Sequence, residues 1–138
     1  MLINLRLDKP KFIKNQLMFD LPPTTFREGQ YVSVSQIHIK WSAQVKHAQV
    51  VLTSTLIDKS SVNPHQQLLF IYEKSNSNIL HKSPTQRQYY KIQCMDLQSS
   101  EFYLFDYEHK ELKKIDSIFI QLEILDERIQ PITQKTSL

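Results

Sequence analysis

Isoleucine and leucine take every second position through Ile118, Ile120, Leu122 and Ile124, and again at the other end of the chain through Ile3, Leu5 and Leu7. A period of two belongs to an extended strand, whose alternate side chains face one core; on a helix the same residues would scatter around the axis. The grammar recurs between those ends. Val32 and Val34 alternate, then the phase slips by one residue to Ile37, Ile39 and Trp41. Such a slip predicts a bulge near Ser35-Gln36, because a regular strand would turn half of that apolar set toward water.

The remaining segments divide in the same way. Phe12 to Phe19 reads as one strand, closed by Pro22-Pro23, and Ala48 to Ile57 as a β-branched strand with Val50 and Leu52 on one face and Val51, Thr53 and Thr55 on the other. Gln67 to Tyr72 reads as a strand buried on both faces. Asp58 to His65 and the polar stretch Lys74 to Gln88 read as loops, the second broken only by Ile79-Leu80. Tyr90, Ile92 and Cys94 alternate, Phe102 to Tyr107 is aromatic on both faces, and Lys110 to Asp116 alone has helix-forming character, over too short a span to nucleate. The expectation is an all-β chain, an antiparallel β-sandwich of seven or eight strands, with Val32, Val34, Ile39, Leu52, Leu69, Ile71, Ile92, Leu104, Ile120 and Leu122 in its core.

With 138 residues, 41% of them hydrophobic, the chain suits a single domain over 1–138, with residues 1–20 as a candidate N-terminal arm and 128–138, ending Thr136-Ser137-Leu138, as a flexible tail. The apolar runs are far shorter than the ~20 residues of a membrane-spanning helix, and the first residues lack the apolar stretch of a secretory signal. Neither a membrane span nor secretion is expected.

Enzymatic chemistry finds little footing. One glycine, Gly29, builds neither a phosphate-cradling loop nor a dinucleotide fingerprint. Cys94 has no second cysteine to pair with and reads as a small core residue. His38, His47, His65, His81 and His109 include no pair at the spacing that sets two imidazoles on one metal from a single element, and Asp96, Glu101, Asp106 and Glu108 read as a solvated strand face. No catalytic residue, cofactor or metal is expected.

Charge is uneven along the chain. Residues 1–90 carry eleven Lys and Arg against five Asp and Glu, whereas 91–138 carry six against nine. Complementary potentials steer association, so copies meeting basic part to acidic part would form a homo-oligomer whose contact weakens as salt rises. Arg6, Lys9, Lys11 and Lys14 form the sharpest cluster, opposed only by Asp8; they are candidates for contact with a neighbouring subunit or, more weakly, with nucleic acid, or else lysines that protect an edge strand. Trp41 reads as a core plug or as an anchor in a subunit interface.

The stretch Phe26-Arg27-Glu28-Gly29-Gln30-Tyr31-Val32-Ser33-Val34-Ser35-Gln36-Ile37 followed by Trp41, then Leu68-Leu69-Phe70-Ile71, Tyr89-Tyr90-Lys91-Ile92, Phe102 to Asp106 leading to Leu112, and Ile118 to Leu125 with Asp126, resembles the single jelly-roll minor capsid (penton) proteins of Polinton-like viruses, adintoviruses and virophages. The resemblance implies a single jelly roll, a ring of identical subunits at capsid vertices beside a major capsid protein, location in the virion, and neither enzymatic activity nor a cofactor. The competing expectation is a monomeric, intracellular β-sandwich adaptor that holds a protein or peptide through a sheet edge or the Lys74 to Gln88 loop.

Overall fold

The computed structural model describes residues 1–46, 49–57, 66–73, 76–106, 112 and 114–126. Their strands are β1 (Leu2–Asp8), β2 (Lys11–Ile13), β3 (Gln16–Met18), β4 (Tyr31–Lys46), β5 (Gln49–Ser54), β6 (Gln67–Tyr72), β7 (Asn76–Lys82), β8 (Tyr90–Lys91), β9 (Phe102–Asp106) and β10 (Ile115–Leu125), with one 3-10 turn at Leu97–Ser99. They build two antiparallel sheets. One runs β1-β10-β4-β7, with β8 also on β4; the other runs β2-β3-β9-β5-β6.

The pairings nest. First joins last (β1 with β10), β3 joins β9, β4 joins β7 and β8, and β5 joins β6, as in one long hairpin rolled upon itself; β10 on β4 and β9 on β5 then complete the sheets. That is the connectivity of a single jelly roll. The described residues form ten strands rather than seven or eight, because two segments differ from their sequence reading. Phe12 to Phe19 is a tight hairpin, β2–β3, turned at Lys14-Asn15 with Lys14 at φ 57°. Asn15 then continues the ladder onto β9: its Nδ2 donates to the Leu104 carbonyl, and the Leu104 N–H donates to the Asn15 carbonyl. The polar stretch from 74 to 88 contains β7, held to β4 by its backbone and by Leu80, which is buried.

β4 carries the bulge where the hydrophobic phase slips. Gln36 pairs with Gln121 and Val34 with Leu122, leaving Ser35 extra; its hydroxyl donates to the Gln121 side chain at 2.9 Å. Val32, Val34, Ile37, Ile39 and Trp41 therefore all face inward. β6 departs from expectation in the other direction. It ends its sheet, so Leu68, Leu69 and Ile71 are buried while Phe70 and Tyr72 stand exposed, rather than both faces being covered.

One continuous core fills the space between the sheets and includes all ten expected residues, together with Trp41, Phe102, Leu56 and Leu97. Cys94 packs at its margin. Each Leu, Ile or Val so buried contributes about 1.5–3 kcal/mol as an upper bound. Among the described residues no helix is long and apolar enough to cross a membrane. The Asp58 to His65 loop, residues 110, 111 and 113 of the Lys110 to Asp116 segment, and the 128–138 tail lie outside the described residues; Ile115 and Asp116 of that segment open strand β10 rather than a helix.

Candidate functional site

Each sheet of an open sandwich leaves two edges, and among the described residues the edges carry most of the exposed large apolar side chains, Met18 on β3 and Met95 being the others. β1 and β2, joined only by Lys9-Pro10, end the two sheets on one side; β7 and β6, bridged by Lys82 and Glu73 at 3.4 Å, end them on the other. Leu2 on β1 and Ile13 on β2 are exposed on the first side, and Phe70 and Tyr72 on β6 and Ile79 on β7 on the second. Met1, which precedes β1, adds to the first patch. Unpaired strand edges bearing apolar groups are templates for association.

The N-terminal cations do not gather on a free arm. Residues 2–8 pair in continuous register with β10, burying Ile3, Leu5 and Leu7. Arg6 lies on the outward face with its guanidinium 5.1 Å from the Phe119 ring centroid. Lys9 holds φ 49° in the turn that ends β1, its N–H donating to the Asp116 carbonyl; Lys11 is on β2 and Lys14 is in the hairpin turn. Lysines at an edge and in its turns suit the protective use of lysine at sheet edges.

The fold also disperses the charge asymmetry of the sequence. β10, which carries Asp116 and Glu123 and no Lys or Arg, lies between β1 and β4, and β9, which carries Asp106, lies between β3 and β5, so among the described residues these acids sit within the sheets rather than on a separate acidic part. Trp41 is 1% exposed and belongs to the core; its place opposite Ile115 on β10 puts it at the end of the inward stripe.

A groove of about 820 Å³ runs beside β6, between Leu68–Tyr72 and the segment 82–88, with Val34 and Tyr90 at its base. Its far wall is anchored to β10. Glu123 Oε1 accepts from the Tyr89 hydroxyl at 2.6 Å and from Arg87 at 2.9 Å. Burial, then the hydrogen bond to Glu123 and its charge, raise the Tyr89 pKa against the opposing pull of Arg87; burial alone raises that of Tyr90. Below this wall Asp126 accepts from Arg27 at 2.7 Å and from Gln30 at 2.9 Å, fixing the turn that leads into β4.

Sequence spacing did not bring any two histidines together, but strand register does. His38 on β4 lies opposite His81 on β7, and their rings stack at 5.3 Å. Among the described residues no group of three or more His, Cys, Asp and Glu is placed to hold a metal ion. Asp96 serves locally, its side chain accepting from the Gln98 N–H at the start of the 3-10 turn. Comparison with protein families, curated proteins and solved structures gave no match to this chain.

Proposed function

We propose that this protein is a structural subunit of a viral capsid, a minor capsid or penton protein that closes into a homo-oligomeric ring at the vertices beside the major capsid protein. The observation that carries the reading is the nested strand pairing of a single jelly roll, an architecture used by viral capsid domains, with apolar groups exposed on both lateral edges. Two different patches on opposite sides of one subunit suit a head-to-tail contact, which closes into a ring when the rotation permits. The space between the sheets is filled by Trp41, Phe102, Leu52, Leu104 and Ile120, which favours a scaffold over an interior ligand site. The proposed role is structural, without catalysis.

The groove beside β6 favours a second reading, an adaptor in which β6, the last strand of its sheet among the described residues, takes up an extended peptide by strand addition. Negative-stain electron microscopy of the purified protein separates the two. Closed rings of uniform subunit number support the capsid reading, and isolated subunits at all concentrations support the adaptor.

A further inference from the structure

The outward face of the first sheet carries a row of side chains that crosses all four of its main strands. Arg6 lies opposite Phe119, Phe119 opposite His38, and His38 opposite His81, so β1, β10, β4 and β7 each contribute one residue to a single line. The row is bound together at both ends, by the Arg6 guanidinium over the Phe119 ring at 5.1 Å and by the two imidazoles stacked at 5.3 Å with 24° between their planes. Arg6, His38 and His81 are exposed and Phe119 is half-buried.

The core explains none of this, because these four side chains point away from it. The next row is Asp8, Ser117, Lys40 and Ile79, and the row on the other side begins Asn4, Gln121 and Gln36. Lys9 and Lys114 are exposed at the end of the face where the Asp116 carbonyl accepts from Lys9. Among the described residues Glu123 on this face is paired with Arg87 at 2.9 Å, and Arg6, Lys9, Lys40 and Lys114 stand against Asp8 and Asp116, leaving an excess of positive charge around a line of planar groups.

Planar rings alone fit many ligands, and cations alone fit any polyanion. Both together on an open sheet fit a strand that alternates flat bases with phosphates: bases stack on rings and on guanidinium planes while lysines track the backbone. Duplex DNA, whose bases are already stacked on one another, offers only its phosphates to such a surface. We propose that the outward face of this sheet binds single-stranded nucleic acid without sequence preference, with His81, His38 and the Arg6–Phe119 pair as the stacking platform and Lys40 as a phosphate contact. This inference rests on the sheet face alone and holds or fails independently of ring formation.

The test is fluorescence anisotropy of the full chain with labelled oligothymidylate, with duplex DNA of equal length and heparin as competitors. Oligothymidylate should bind saturably and more tightly than duplex. His38→Ala with His81→Ala should weaken it about fivefold or more at unchanged salt dependence. Arg6→Ala should weaken it through the lost stacking partner, and Lys40→Ala should flatten the slope of log affinity against log salt by about 0.7, the value for one phosphate contact on a single strand. All four positions lie outside the core, and an unchanged thermal midpoint confirms that each variant folds; His38→Gln with His81→Gln replaces the first pair if it does not. No saturable binding at low salt, equal affinity for duplex, or full affinity in the histidine variants would overturn the proposal.

Discussion

Ile3 lies opposite Leu122, pairing the first strand of the chain with the last, and both side chains are buried. The N-terminal residues are thus part of the sandwich, and their loss would open an edge of β10. Leu5→Ala, at a position 2% exposed, is expected to cost about 2–5 kcal/mol in urea unfolding. Replacing Arg6, Lys9, Lys11 and Lys14 together by Ala should leave the fold intact and increase aggregation, because exposed substitutions are each within about 0.5 kcal/mol. Light scattering and the unfolding midpoint read the two effects separately.

Lys14 adopts φ 57°, a region that costs an L-residue with a Cβ roughly 1 kcal/mol and glycine almost nothing. Lys14→Gly is expected to raise the thermal midpoint by about 2–4 °C, while Lys14→Val lowers it. Equal midpoints for the two variants would contradict the turn.

Among the described residues, the Thr53 hydroxyl is a buried side-chain oxygen without a hydrogen-bond partner. Leaving a buried polar group unpaired costs about 1–3 kcal/mol, so Thr53→Val, which keeps the shape and removes the polar atom, is expected to stabilise the protein. Chemical unfolding of the two proteins gives the difference directly.

The raised pKa of Tyr89, caused first by burial and then by Glu123, makes stability depend on alkaline pH. The neutral phenol is favoured in the folded state, so its contribution is complete below the unfolded pKa near 10 and is lost as pH rises through the higher folded value. Tyr89→Phe should flatten the decline of stability above pH ~10. An unchanged alkaline profile in that variant would show that the hydroxyl is not held as described.

Much of the fold was legible because burial writes itself into the sequence with a period of two. The bulge at Ser35 follows from the shift between Val34 and Ile37, and the core stripe of β10 from Ile118 to Ile124. β7 was hidden because an edge strand needs only backbone partners; Asn76, Ser77 and Asn78 give no periodic signal, and Leu80 alone marks its inward face. The turn at Lys14-Asn15 lacks the glycine that usually announces a hairpin, so β2 and β3 merged into one run. The surfaces were least legible. His38 meets His81, and Arg6 meets Phe119, only through register between strands distant in sequence, and the charge imbalance along the chain gives no hint that β10, with Asp116 and Glu123, will lie between β1 and β4.

The central claim is assembly through the two apolar edges, and sedimentation velocity of the purified protein beside an Ile13→Lys, Ile79→Lys variant tests it most directly. Apolar contact predicts one discrete homo-oligomer that persists as salt rises, and a folded monomer when a charge is placed on each edge. A wild-type protein that sediments as a monomer at every concentration and salt would contradict the account.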